Sequence, residues 1–295
     1  MSIRRLAVIG VGLIGGSLAR ALRHAGQVGE IIGCGRSREN LERALELGVI
    51  DSFTHQIGEA VSGADMIFLA IPLGAMESAF SEMRGRIGDD ALITDGGSAK
   101  ASVVEACRMG LGRLPPGFVP GHPIAGTEKS GVDASFMELY RGRRVILTPT
   151  DATSPEALES VASMWRSCGA EVTCMSVAHH DEVLAATSHL PHMLAFGLVD
   201  TLASMDENDE IFRYAAGGFR DFTRIASSNP VMWRDICVAN KAALGEMMER
   251  YIKDMEVLAE TIRRGDGGRL LEIFSRAKAA RDRFIDTASD PGSTE

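Results

Sequence analysis

The sequence predicts a doubly wound, mostly parallel α/β sheet followed by an all-helical half. Three observations predict it. Leu6–Ile9 is a short apolar run that leads into Gly10, Gly12 and Gly15, and a helical pattern built on Leu13, Leu18 and Leu22 follows. Apolar runs of strand length then alternate with helical periods as far as Met175. From Ser176 onward only helical periods remain. Alternation of this kind marks an open parallel sheet covered by helices on both faces.

The elements follow in order. Glu30–Cys34 reads as the second strand, Asn40–Leu47 as a helix and Gly48–Phe53 as a short edge strand. Asp65–Ile71 is apolar on both faces, as a central parallel strand is, and Pro72 stops it. Ala91–Asp95, Phe118–Pro120, Arg144–Pro149 and Glu171–Met175 complete the strands. Pro155–Cys168 is a helix with Ser154 at its N-cap and Pro155 at the first helical position. In the second half, Ser176 caps a helix to about His189, Pro191 breaks or kinks it, and a further helix covers about His192–Ala203. Asp206–Glu210 is an acidic loop and Ile211–Ala216 a short helix. Ser228-Asn229-Pro230 starts a long helix, Val231–Arg264, which Gly265–Gly268 ends. Arg269–Ile285 is a last amphipathic helix, and Thr287–Glu295 is a polar, frayed tail. The expected division is 1–176 and 177–295.

Composition narrows the function. A chain of 295 residues has room for two domains. A net charge of −9 argues against nucleic acid held by a general basic field. The five cysteines have no C-x-x-C spacing, which fits reduced thiols in a cytoplasm. Met1–Arg5 runs straight into a strand without a signal-peptide pattern, and no apolar run approaches the roughly 20 residues that span a bilayer.

Gly10, Gly12 and Gly15 form G-x-G-x-x-G between a strand and a helix, the context that makes this motif a dinucleotide site. Gly10 serves the tight turn, Gly12 the approach of a pyrophosphate, and Gly15 close packing of helix on strand. The helix N-terminus offers N–H groups and the positive end of its dipole to the phosphates. Leu13, Ile14, Ile71 and Pro72 join the cofactor-facing set. An NAD site usually carries Asp or Glu at the end of the second strand, bonded to the ribose 2′-hydroxyl. Here that position is Gly35, followed by Arg36, Ser37 and Arg38. The missing carboxylate and the nearby guanidiniums favour NADP over NAD, against the alternative that both arginines point into solvent.

Four further segments carry candidate chemistry. Asp95-Gly96-Gly97-Ser98-Ala99-Lys100 follows a buried strand, and Ser98 either hydrogen-bonds a ligand or caps the next helix. Gly121-His122-Pro123 is read as a fixed loop at the crevice, with His122 as the base. A base of this kind titrates near the ordinary histidine value of about 6.5, so activity is expected to rise with pH through that value. His180, Ser188, His189 and His192 sit at helical spacing where one surface can present several of them. Their pattern matches no zinc spacing, and no metal is expected. Arg220 or Arg224 could clamp a carboxylate bidentately, or pair with Asp221 and join the helices.

Together GVGLIGGS, the GGSAK loop, GHPIAGTE, SHLPH, GFRDFTRIASSNP and the following MWRDI resemble the prephenate/arogenate dehydrogenase (cyclohexadienyl dehydrogenase) family. The resemblance covers nearly the whole chain, from Leu6 to about Phe284, with the motifs in order. It implies a Rossmann-like N-terminal domain and a helical C-terminal dimerisation domain, hence a homodimer. The implied reaction is NAD(P)-dependent oxidative decarboxylation in tyrosine synthesis. By motif, His122 resembles the base and Ser98 its hydrogen-bonding neighbour. Glu128 resembles an acidic residue at the site entrance, Arg224 the carboxylate anchor, and His180, Ser188, His189 and His192 lining residues. Asp221, Ser228 and Trp233 would lie near the site or the dimer contact. Many members carry Asp where this chain has Gly35, so an NAD preference does not carry over. Rival readings are a β-hydroxy-acid dehydrogenase, for which Lys241 lacks a matching motif, and a non-catalytic dinucleotide sensor.

Overall fold

The computed structural model describes residues 2–127, 129–206 and 208–289. Glu128 and the end of the tail therefore lie outside the described residues. Strands β1 (Ile3–Ile9), β2 (Val28–Cys34), β3 (Ser52–Thr54), β4 (Met66–Leu69), β5 (Leu92–Asp95) and β6 (Phe118–Val119) form one parallel sheet in the order β3-β2-β1-β4-β5-β6. Between them run α1 (Leu13–His24), α2 (Arg38–Glu46), α3 (Ile57–Val61), α4 (Met76–Met83) and α5 (Lys100–Leu111). The order reverses between β1 and β4, and the crevice outside that switch point is where such sheets bind ligands.

Both faces of the sheet are buried. Along β1, Leu6 and Val8 enter one core with Leu18 and Leu22 of α1. Ala7 and Ile9 enter the other with Met76 and Phe80 of α4 and Val103 and Cys107 of α5. A strand turns successive side chains to opposite faces, so an unbroken apolar run is what a doubly covered strand requires.

The remaining strands depart from the single sheet that the alternation predicts. β7 (Gly121–Pro123), β8 (Arg144–Leu147) and β9 (Glu171–Cys174) form a separate three-stranded sheet, with β7 antiparallel to β8 and β8 parallel to β9. His122 therefore lies on a strand, opposite Ile146, and not in a loop. Pro123 cannot donate to a ladder and hides a strand in the sequence, but it is tolerated on the edge strand β7. Helix α6 (Pro155–Ser167) is capped by the Ser154 hydroxyl, which accepts from the Ala157 N–H.

The helical half begins with α7 (Val177–Leu184), capped by Ser176. The backbone then stays helical through a widened π turn, Ala185–His189, into α8 (Leu190–Ala203). Pro191 thus neither breaks the helix nor ends it; the π turn lies just ahead of the missing N–H and accommodates it. Next come α9 (Asn208–Arg213), α10 (Gly217–Thr223), α11 (Pro230–Ala239), α12 (Lys241–Arg263) and α13 (Gly267–Ser289). The long helix expected over 231–264 is two helices, separated at Asn240. The chain divides into two compact units, Met1–Leu244 and Gly245–Glu295. Among the described residues, no helix is long and apolar enough to cross a membrane.

Candidate active site

The glycine turn has the shape its motif requires. Gly10 has φ +98°, and a Cβ there would stand 2.2 Å from the Ala70 carbonyl oxygen. A Cβ on Gly15 would stand 2.1 Å from the Gly10 carbonyl oxygen, so only glycine lets α1 pack this close. A Cβ on Gly12 would meet nothing within 4 Å, and no side chain caps the α1 N-terminus. That combination leaves room and backbone N–H donors for a pyrophosphate. Leu13 is buried, and Ile14, Ile71 and Gly35 are half-buried around the turn, while Pro72 is exposed.

At the end of β2, Ser37 caps α2 by accepting from the Asn40 N–H at 3.2 Å. Arg38 pairs with Glu42 at 2.7 Å on the same exposed helix. Both side chains thus serve α2 here, although an exposed pair is weak enough to rearrange. Arg36 is exposed, and the Gly35 carbonyl bonds the His55 imidazole at 2.8 Å.

A buried row of polar side chains begins beyond the end of β5, on the same edge of the sheet. Asp181 is buried, and its carboxylate accepts from the N–H groups of Lys100 at 2.7 Å and Ala101 at 2.9 Å. It thereby caps α5 from a distant element, the task that Ser98 was a candidate for; Ala99 is the N-cap residue and makes no side-chain cap. The same carboxylate bonds His180 Nδ1 at 2.7 Å, and His180 Nε2 bonds His122 Nδ1 at 2.9 Å. The row fixes tautomers. Asp181 only accepts, so His180 donates from Nδ1, and in its neutral form it accepts at Nε2. His122 must then donate from Nδ1, which leaves its Nε2 bare and able to take a proton.

Charge states follow from burial. Burial alone would raise the Asp181 carboxyl, but the hydrogen bonds from His180, Lys100 and Ala101 outweigh it and hold it below the usual carboxylate range. His122 lies well below the ordinary histidine value, chiefly through burial, then through the Lys100 charge and the imidazoles of His180 and His189. The pH rise through 6.5 that the sequence predicts is therefore corrected downward: a buried imidazole beside a cation resists protonation.

His189 and Trp233 line the other side. Asn240, at the break between α11 and α12, reaches the Asp181 carbonyl at 2.8 Å and His189 Nδ1 at 3.0 Å. His189 is lowered to about 4, chiefly by burial. The Ser98 backbone carbonyl faces the His189 ring and opposes that lowering, while the Trp233 indole N–H is buried without a hydrogen-bond partner. Buried polar atoms of this kind cost free energy unless something pairs with them, which points to a ligand. His192 stacks on Trp233, with ring centroids 3.6 Å apart, and its Nδ1 bonds the Ser188 carbonyl at 2.9 Å. Burial lowers the His192 pKa, the Ser188 carbonyl opposes this, and the Arg224 charge adds to the lowering.

The structure thus joins His122, His180, His189, His192 and Trp233 through contacts, with Arg224 within electrostatic reach. Ser98 and Ser188 are half-buried, Ser228 is half-buried beyond α10, and Asp221 is exposed. Sequence reasoning missed Asp95, Lys100, Asp181 and Asn240 as site residues. Asp181 sits beside His180 in sequence, and Asn240 interrupts an apolar helical run, so both left a trace. Asp95 and Lys100 are marked only by ending a buried strand and opening the next helix.

Comparison with known proteins identifies the family. The prephenate dehydrogenase nucleotide-binding domain matches residues 18–174, and the prephenate dehydrogenase dimerization domain matches residues 176–276. Cyclohexadienyl dehydrogenase of Zymomonas mobilis is 38% identical over 94% of this chain and 95% of its own. The crystal structure of Aquifex aeolicus prephenate dehydrogenase with hydroxyphenyl propionate and NAD+ has a TM-score of 0.89 at 39% identity, covering 96% of this chain and 99% of that one. Synechocystis arogenate dehydrogenase has a TM-score of 0.81 at 28% identity, over 95% and 99% of the two chains. The chain belongs to the prephenate dehydrogenase family.

Proposed function

We propose that this chain is an NAD(P)-dependent prephenate or arogenate dehydrogenase that works in tyrosine synthesis. The observation that carries the reading is the row Asp181–His180–His122, which ends on a bare imidazole nitrogen. The row lies at the carboxyl edge of the sheet. There the β5–α5 turn meets the glycine turn: a Cβ on Gly96 would stand 3.2 Å from Ile14 Cγ2. The division of labour is 1–176 for the dinucleotide and 177–295 for substrate and subunit contact.

A nicotinamide dinucleotide held over the glycine turn supplies the hydride acceptor. His122 Nε2 takes the proton of the substrate hydroxyl as hydride leaves the same ring carbon, so positive charge does not accumulate there. The resulting carbonyl accepts the electron pair of the ring carbon–carboxylate bond as carbon dioxide departs. The ring becomes aromatic, and the phenolate oxygen regains the proton from His122. Aromatisation drives the loss of carbon dioxide, so the step needs no metal. Ser98 is the proposed hydrogen-bond partner of the hydroxyl. Arg224 is the proposed anchor of a substrate carboxylate; His180, Ser188, His189, His192, Trp233, Asp221, Ser228 and, by motif alone, Glu128 are the remaining proposed substrate-binding residues. Five free cysteines fit a reducing cytoplasm.

Replacing His122 with Asn keeps a hydrogen-bonding group and removes the base. It should lower kcat by roughly 10²–10⁴ with dinucleotide affinity kept. Arg224→Ala should instead raise KM by about tenfold or more, the cost of a lost charge-assisted bond. Because neutral His122 is the active form and its pKa is depressed, the acidic limb of kcat/KM should lie well below 6.5. Near-native kcat in His122→Asn would remove this histidine from the chemistry.

NADP is the proposed preference. What supports it is the absence of a carboxylate at Gly35 and the exposed guanidinium of Arg36 beside it. A Cβ on Gly35 would meet Leu41 at 3.6 Å, an ordinary contact, so Gly35→Asp fits without strain. A new carboxylate should swing the NADP/NAD ratio of kcat/KM about tenfold or more toward NAD. An unchanged ratio would mean that this segment does not read the 2′ position.

A homodimer is also proposed. In the unit Gly245–Glu295, Ile252, Val257, Ile262, Leu271 and Phe274 are exposed apolar side chains on α12 and α13. A run of this kind on two helices is ordinarily covered by a partner. Sedimentation equilibrium should return twice the chain mass of 31.6 kDa; a single-chain mass at micromolar concentration would refute the dimer.

A further inference from the structure

Lys100 opens α5 with its side chain fully buried, paired with the equally buried Asp95 at the end of β5 at 2.5 Å. Its ammonium also donates to the Gly121 carbonyl at 2.5 Å, while Asp95 accepts from the Gly121 N–H at 3.1 Å. The pair therefore grips both backbone groups of the residue that precedes His122. A Cβ on Gly121 would stand 3.0 Å from the Asp95 carbonyl oxygen, so β7 is drawn tightly onto the end of β5. The Lys100 backbone N–H meanwhile donates to Asp181, the far end of the row that orients His122. One residue thus holds both ends of a closed ring: Lys100, Gly121–His122, His180, Asp181 and back to Lys100. A buried ion pair is weak evidence for stability, since apolar replacements often serve as well. Its position in this ring points to another task.

We infer that Lys100 is a positioning residue for His122, acting through the Gly121 backbone and through its own charge. The inference rests on the reading of His122 as the base. The charged and titratable groups facing this imidazole are Lys100 of α5, Asp95 of β5, His180 and Asp181 of α7, and His189 of the π turn. Besides burial, the Lys100 charge disfavours imidazolium at His122; burial lowers the Lys100 pKa in turn, and the Asp95 carboxylate opposes that lowering. A cation kept next to a base discourages its protonation without consuming its lone pair. The Gly121 clamp sets where that lone pair points.

The test is an NMR titration of His122 in the full-length, histidine-labelled chain, with His122→Asn identifying the signal. In the wild type, His122 should remain neutral through the range where ordinary histidines titrate, about pH 5.5–7.5. In Lys100→Met its midpoint should rise by about one pH unit or more, into or towards that range. The acidic limb of kcat/KM should move the same way, kcat should fall about tenfold or more, and dinucleotide affinity should hold. Asp95→Asn/Lys100→Met leaves no unpaired buried charge, so it carries the same test if the single variant does not fold; its midpoint should move upward too. A His122 midpoint that stays put in the folded variants, whatever happens to kcat, would overturn the inference and leave Lys100 a structural residue. The base reading fails separately, through near-native kcat in His122→Asn, and the titration does not depend on it.

Discussion

The Asp181 carboxylate is buried between the two N–H groups that open α5 and the imidazole of His180. A carboxylate out of water is costly unless its lone pairs are met. Here a helix N-terminus meets them from one side and a histidine from the other, and the helix dipole favours the negative charge. Because α5 follows β5 of the sheet and α7 opens the helical half, this one group ties the site's two sources of side chains together. The orientation of His180, and through it the proton arrangement of His122, follows from that tie.

The same logic separates the roles of the histidines. His122 and His189 are both buried and both resist protonation, yet they differ in partners. His122 donates from Nδ1 into the row and offers Nε2. His189 is held at Nδ1 by Asn240, faces the Ser98 carbonyl, and stands near an unpartnered indole N–H on Trp233. The first arrangement suits proton acceptance during a reaction; the second suits holding a polar substrate group. His192, stacked on Trp233 and near Arg224, belongs with the second.

Much of this was readable in the sequence. Leu6–Ile9 followed by Gly10, Gly12 and Gly15 announces its strand, turn and helix, because local sterics leave few alternatives. The apolar residues 66–71 announce a doubly covered strand for the same kind of reason. His122 stands out by its flanking Gly121 and Pro123, but its strand does not, since β7 pairs with Ile146 and its neighbours some 20 residues away. Pairing at that distance leaves no local period. Asn240 illustrates the limit in the helical half. An apolar pattern continues across it, and the partners of its side chain, the Asp181 backbone carbonyl and His189 Nδ1, are set by tertiary contact that no local period records. The Asp95–Lys100 pair is harder still, since both residues read as ordinary turn chemistry until β7 is seen against them. Hydrogen-bond partners are set by tertiary contact, and periodicity carries no record of them.

The row from Asp181 leaves His122 neutral, protonated at Nδ1 and bare at Nε2. Nitrogen-15 chemical shifts of the labelled imidazole in the full-length protein at neutral pH report this state directly. His122 should show a pyrrole-type Nδ1 and a pyridine-type Nε2. An Nε2-protonated tautomer, or an imidazolium with both nitrogens protonated, would contradict this arrangement.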